Sequence, residues 1–274
     1  MDNVSLYTTN ISKFTGGSIQ EMEDTLVIEE PLEITISALD AKPILHKKPI
    51  SITMRTPGKD KELALGFLYG EGIIESIGSI KNIRVDENKI DFVVKKDFTI
   101  NLKNLERHFY TTSSCGVCGK ASIQSLETKR PSHFNQSPIS ISSSVISSLP
   151  HVLREQQVLF KSTGGIHAAG LFNNKGQLLC LREDVGRHNA LDKLIGSYFQ
   201  NDLLPLDKSI LALSGRASFE LLQKSIMAGI QIIASIGAPS SLALALAKKF
   251  NVTLIGFVKE QSFNIYHGKE RIIL

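Results

Sequence analysis

Cys115 and Cys118, in the run Ser113-Ser114-Cys115-Gly116-Val117-Cys118-Gly119-Lys120, are two of only three cysteines in the chain. Their spacing lets both sulfurs meet one metal ion, one disulfide or one transferred sulfur atom. A thiolate is both nucleophile and metal ligand, and a nearby cation such as Lys120 lowers its pKa. A structural zinc site is closed by four ligands. No second C-x-x-C or C-x-x-H is present, so Cys180, His133 or His188 would have to be recruited. A thioredoxin-like redox pair needs an apolar strand running into the motif, whereas Tyr110-Thr111-Thr112-Ser113-Ser114 is polar. An exposed, mobile pair that carries sulfur fits the loop-like setting best.

Three other constellations could hold a ligand. Arg182-Glu183-Asp184-Val185-Gly186-Arg187-His188-Asn189-Ala190-Leu191-Asp192-Lys193 crowds charge around a strand-to-helix junction. Gly186 allows close backbone approach there, with Arg187, His188 and Asn189 available to an anionic or heterocyclic group. The competing reading is a solvated helix start with an internal ion-pair network. Ser214-Gly215-Arg216-Ala217-Ser218 sits between a strand and a helix, where amides and Arg216 could hold a phosphate; a plain capped helix start is the competing reading. Thr163-Gly164-Gly165-Ile166-His167 reads either as an anion-binding nest or as a tight turn feeding a core histidine. Cys180 lies in an apolar strand and is most simply core.

The elements that position these residues change character along the chain. Leu32-Glu33-Ile34-Thr35-Ile36 and Ile50-Ser51-Ile52-Thr53-Met54 alternate as half-buried strands do, and Ile90 to Val94 reads as a third. Between them Asp60 to Tyr69 is helical, after the turn Thr56-Pro57-Gly58. Residues 1–110 are therefore expected to form a small α+β domain. Residues 111–140 read as a linker and exposed loop bearing the cysteine pair. The seven serines between Ser137 and Ser148 end it by capping a helix that runs towards Gln157. Residues 141–274 then alternate strands and helices, as an α/β layered sheet requires. Strands are expected over 165–172, 177–181, 210–213, 230–234 and 252–258, and helices over 188–199, 219–228 and 240–249. Ligands on such sheets gather where strands end and helix N-termini begin.

Composition bounds the function. At 274 residues, 42% hydrophobic and 21% charged, the chain can bury a sizeable core. A formal charge of +4, no tryptophan and five tyrosines give no case for nucleic-acid binding. Three cysteines make no disulfide framework and point to a reducing cytoplasm, and the polar first residues show no secretory signal. From Ser225 to Ala247 there are 23 uncharged residues, long enough to span a bilayer. Gln231, Ser235, Gly237 and Pro239 interrupt that run, so a strand, a turn and a buried helix explain it better than a membrane span. Its surplus of apolar residues suggests a homodimer.

Taken in order, these segments resemble the FdhD family, the sulfurtransferase accessory proteins of formate dehydrogenase. The likeness runs from about Glu30 to Ile272. It rests on Arg55-Thr56-Pro57-Gly58, Leu65 to Leu68 with Glu71 to Ile74, Ser114 to Lys120, Thr163 to Ala169, Arg182 to Lys193, Ser214 to Arg216, Gly256 to Lys259 and Phe263 to Tyr266. One departure is Gly237, where the family pattern has serine. The resemblance implies a cytidine-deaminase-like three-layer α/β/α domain with a smaller N-terminal domain. Deamination itself is disfavoured, because its zinc chemistry needs an H-x-E and a later P-C-x-x-C, and His188-Asn189-Ala190 has no glutamate. The family accepts sulfur from a cysteine desulfurase as a persulfide. It passes the sulfur to the bis-molybdopterin guanine dinucleotide molybdenum cofactor before that cofactor enters formate dehydrogenase. The resemblance assigns the persulfide to Cys115, with Cys118 as a second thiol. It places a cofactor-binding segment on Phe257, Val258, Lys259, Glu260, Gln261 and Ser262, and the residue reading above adds Arg187, His188, Asn189 and Arg216 as candidates to hold guanine or phosphate. A free guanine nucleotide would mimic the cofactor there. A zinc-stabilised nucleotide-binding module and a nucleotide-modifying enzyme remain the rival classes.

Overall fold

The computed structural model describes residues 5–39, 45–95 and 139–274. Cys115, Cys118 and the exposed loop expected around them lie outside the described residues.

The described chain opens on a feature the hydrophobic pattern passes over. Strands β1 (Leu6–Thr15) and β2 (Ser18–Val27) pair antiparallel as an isolated two-stranded ribbon. Gly16 and Gly17 make its turn, both with positive φ, the backbone that a two-residue hairpin demands. A four-stranded sheet follows, from β3 (Glu30–Leu39), β4 (Leu45–Arg55), β5 (Ile80–Asp86) and β6 (Lys89–Val94), in the order β4-β3-β6-β5. Helix α1 (Asp60–Gly70) joins β4 to β5 and covers one face. Period-two alternation supplies that face: Leu32, Ile34, Ile36, Ile90, Phe92 and Val94 form one core with Leu63, Ala64, Leu65 and Leu68 of α1.

The second half builds the larger sheet. After β7 (Ile141–Ser142), helix α2 (Ser143–Gln156) begins. The serines expected to precede a helix are mostly inside this one, and only Ser142 caps it, its Oγ accepting from the Val145 N–H at 3.3 Å. The short helix α3 (Val158–Thr163) leads into β8 (His167–Phe172) and β9 (Leu178–Asp184). Then come α4 (Arg187–Phe199), β10 (Ile210–Leu213), α5 (Phe219–Met227), β11 (Ile232–Ser235), α6 (Ser241–Phe250), β12 (Thr253–Lys259) and β13 (Ser262–His267). The chain ends on β14 (Ile272–Ile273), which pairs parallel with β7.

The six strands are ordered β13-β12-β11-β10-β8-β9. β10, β11 and β12 are mutually parallel, and β8 runs antiparallel to β10. Alternate residues feed two cores. Leu171, Leu211, Leu213, Ile233 and Leu254 meet α4, α5 and α6 on one face. Ile210, Ala212, Ile232, Ala234 and Ile255 meet Ile146, Leu149 and Leu153 of α2 on the other. The uncharged stretch from Ser225 to Ala247 ends α5, supplies β11 and begins α6. Most of its apolar side chains are buried in the chain's own core, which removes the surplus that suggested a homodimer. No helix among the described residues is long and apolar enough to cross a membrane.

The two sheets are held together through α1 and α4, which cross in backbone contact. A Cβ on Gly66 would lie 1.9 Å from the Asp192 carbonyl oxygen, and one on Gly196 1.8 Å from that of Glu62. Arg182 locks the crossing by donating to both carboxylate oxygens of Glu62, at 2.5 and 3.1 Å. Tyr69 adds a hydrogen bond to the Met227 carbonyl at 2.8 Å. A methyl group at either glycine forces backbone apart rather than a side chain aside. Gly196→Ala is expected to cost about 3 kcal/mol or more, the upper end of overpacking. Gly165→Ala, with no atom of concern nearer than 3.8 Å, should stay within about 1 kcal/mol of wild type. Urea unfolding of the two variants checks the contrast.

Candidate functional site

Five loops reach one edge of the larger sheet. β10, β11 and β12 end there, β9 ends there beside them, and β8 starts there, His167 being paired with Asp184. The loops are knitted side by side by backbone bonds. Ser214 N–H donates to the Ala168 carbonyl at 3.0 Å, Gly237 N–H to Gly215 at 3.1 Å, and Phe257 N–H to Gly237 at 3.3 Å. Helices α4, α5 and α6 all begin at this rim, so their N-terminal dipoles favour negative charge there.

The charged junction after β9 divides between structure and site. Asp184 is fully buried. Its carboxylate accepts from Thr56 N–H at 3.2 Å, Gly186 N–H at 2.9 Å and Asn189 Nδ2 at 3.0 Å, and pairs with Lys193 Nζ at 2.7 Å. Lys193 also donates to the Thr56 carbonyl at 2.8 Å, and Thr56 Oγ1 accepts from Val185 N–H at 3.1 Å. Asn189 donates to the Met54 carbonyl at 2.7 Å and accepts from Thr53 Oγ1 at 3.2 Å. Its amide is thus committed to joining the two halves. Gly186 is required because a Cβ would approach Asn189 Nδ2 to 2.9 Å. Arg55 is buried beside this clasp, held by both oxygens of Asp60 at 3.1 and 2.9 Å. Asn189 and Lys193 stand four apart, on one face of α4.

Arg187 and His188 face the rim. Arg187 opens α4, and its Nε is buried without a hydrogen-bond partner among the described residues. His188 Nε2 lies 3.1 Å from Ser218 Oγ and 3.6 Å from Glu220 Oε2. Ser218, at the N-cap of α5, turns its hydroxyl to His188 rather than to its own helix. Burial pushes the His188 pKa down to about 4, Lys224, Arg187 and His167 adding to the effect against Glu220. His167 is lowered too, by burial and Arg187. Both rings are therefore neutral near pH 7. Behind them Lys224 is fully buried and stays charged, because Asp192 at 2.6 Å and Glu220 at 3.3 Å outweigh its desolvation.

Arg216 is exposed on the rim, packed against Gly237. A Cβ at Gly237 would lie 3.0 Å from the Arg216 N and Cα, so any side chain there needs the Arg216 loop to give. In β12 the register shifts between Gly256 and Lys259. Phe257 adopts φ 54 and is 43% exposed, while Val258 turns into the core beneath α2. Lys259, Glu260, Gln261 and Ser262 form the exposed turn into β13. The bulge re-aims an aromatic ring outward at the rim. The Gly164 N–H is used to close α3, donating to the Phe160 carbonyl at 2.8 Å, which leaves the turn reading of Thr163 to His167 and not the nest. Cys180 is a free thiol beside Arg182 and Ser197. Among the described residues no group of three His, Cys, Asp or Glu side chains could hold a metal ion.

Residues 27–273 match the model of the FdhD/NarQ family. The chain belongs to that family. Its relatives agree in length as well as sequence. A protein of Streptomyces avermitilis named Sulfur carrier protein FdhD is 44% identical, the match covering 96% of this chain and 94% of the relative. One of Sulfurisphaera tokodaii with the same name is 45% identical over 92% of each. A crystal structure from Desulfotalea psychrophila, carrying the name of a formate dehydrogenase accessory protein, is 26% identical with a TM-score of 0.73. It covers 98% of this chain and 100% of its own. The clasp and the rim described above both fall within the part matched to FdhD/NarQ.

Removing one member of the buried clasp strands the other. Asp184→Ala and Lys193→Met are each expected to lose about 3–5 kcal/mol in urea unfolding, and the double variant less than their sum. The neutral His188 gives a pH signature. Its pKa in the fold lies below the ordinary 6.5, so as pH falls the unfolded chain takes up its proton first. The stability this ring contributes is complete above about pH 6.5 and is lost towards pH 4, roughly 3 kcal/mol at most. His188→Gln should flatten that part of the pH dependence, read from urea midpoints at pH 7 and pH 5.

Proposed function

We propose that this protein is a sulfur carrier of formate dehydrogenase maturation, loaded on Cys115 by a cysteine desulfurase. The observation that carries the reading is the near full-length likeness to proteins named Sulfur carrier protein FdhD. The Cys115 thiolate attacks the outer sulfur of the donor's persulfide and forms Cys115–S–SH. The donor's own cysteine leaves as a thiolate, with no net oxidation or reduction. Cys118 serves as the second thiol. The work takes place in the cytoplasm, and the client is formate dehydrogenase.

The rim suits the client cofactor, the bis-molybdopterin guanine dinucleotide molybdenum cofactor, as a bound substrate. Three helix N-termini, Arg216 and Arg187, whose Nε has no hydrogen-bond partner among the described residues, favour its phosphates. The exposed ring of Phe257 offers a flat surface to guanine, flanked by the turn from Lys259 to Ser262. His188, neutral and bonded to Ser218, gives a donor or acceptor without adding charge. Asn189 and Val258 act beneath the surface, one in the clasp and one in the core. The strand order, with helices on both faces and β8 reversed, supports a cytidine-deaminase-like three-layer arrangement.

Incubation with a cysteine desulfurase and cysteine, followed by peptide mass mapping, tests the carrier step. A persulfide on Cys115, lost in Cys115→Ser, is the expected result, and an unmodified Cys115 would falsify the assignment. Binding of a guanine nucleotide should weaken about tenfold in Arg187→Ala, the scale of one charge-assisted contact.

A further inference from the structure

The β1–β2 ribbon has no part in the clasp or the rim, and the family match begins only at its last residue, Val27. Each strand has ten residues, an arm about 33 Å long at ordinary strand rise. Every residue from Ser12 to Asp24 is exposed. Near the tip Phe14 and Ile19 pair across the strands at 71% and 69% exposure, and Tyr7 and Leu26 pair likewise nearer the base. Two-stranded ribbons are marginal alone; Tyr7 and Leu26 face the side opposite to Phe14 and Ile19, and an aromatic–aliphatic pair this exposed at the tip is a candidate contact point.

Charge selects among possible occupants. The ribbon holds Lys13 against Glu21, Glu23 and Asp24, in a chain whose formal charge is +4. Its acidic strand opposes an anionic membrane or nucleic acid and favours a basic protein surface. Position selects further. Ser5 at the base donates from Oγ to the Pro57 carbonyl at 2.9 Å, next to the Thr56 that the clasp holds. β2 also lies against α3, whose end leads into His167 of the rim. A protein gripping the arm is thereby brought beside the functional edge.

We propose that the ribbon is the docking arm for the protein that loads this carrier with sulfur. That donor presents a basic groove with an apolar pocket for Phe14 and Ile19. The proposal rests on the carrier reading above. The test compares two sulfur sources, a cysteine desulfurase with cysteine and inorganic polysulfide, by the rate of persulfide formation on Cys115. The variants are Phe14→Ser/Ile19→Ser and Glu21→Lys/Glu23→Lys/Asp24→Lys, all at exposed positions. Each is expected to slow loading by the desulfurase tenfold or more, with the wild-type rate falling as salt rises. Loading by polysulfide and binding of a guanine nucleotide should be unchanged. Wild-type loading by the desulfurase in both variants overturns the proposal. So does an equal loss with both sources, which would place the defect in the fold. A change of oligomeric state with unchanged loading assigns the arm to a second copy of the chain and also overturns it. If wild type takes sulfur from neither source, the carrier reading itself falls.

Discussion

A single buried carboxylate, Asp184, governs how the two halves of this protein meet. With no exposure to solvent it must find its whole solvation inside the fold, and it does so with one ammonium, two backbone amides and one side-chain amide. The donors come from both halves. Thr56 belongs to the loop after β4, whereas Gly186 is the N-cap of α4 and Asn189 and Lys193 lie within it. Neither half can satisfy Asp184 alone, so the charge couples their folding. Burial of a paired charge is weak support for stability as such, but breaking the pair is costly. The gain is therefore in geometry: α4 begins at one place relative to β4, and Arg187 and His188 are aimed from there.

From that fixed point the sheet does the rest. Parallel strands with helical crossovers bring successive loops to one edge, and β8 and β9 add their ends from the antiparallel side. The rim is cationic through Arg187 and Arg216, yet its two imidazoles are neutral because burial and neighbouring cations hold their protons off. Near pH 7 its positive potential therefore owes nothing to the two imidazoles. The left-handed backbone at Phe257 is a local cost of the kind that collects at binding sites. It is offset by burying Val258 in the core.

How much of this the sequence disclosed depended on where each residue's partner lies. Ile210 to Leu213 and Phe219 to Met227 are legible because their burial is dictated by near neighbours on a strand or a helix turn. The ribbon is not, because residues exposed on both faces keep no alternation, and only Gly16-Gly17 marks the turn. β5, with Lys81, Asn82 and Arg84, hides for the same reason at its sheet's edge. Arg187, His188 and Arg216 stand on the rim, where strand ends meet helix starts. Asn189 has another employment, since the carboxylate and carbonyl it bonds include one 135 positions away at Met54. Nothing local in the chain announces so distant a partner. Nor does any glycine mark Phe257 for positive φ.

The glycine crossing of α1 and α4 has a bearing on motion. Helices separated by layers of side chains can slide or rock by repacking them. Here Gly66 and Gly196 bring main chain against main chain, with no intervening layer to rearrange. The two sheets are bound to travel as one rigid frame, and a hinge between them is denied as a way of opening the edge. Any movement that opens or closes the edge is therefore left to its loops, working against that crossing.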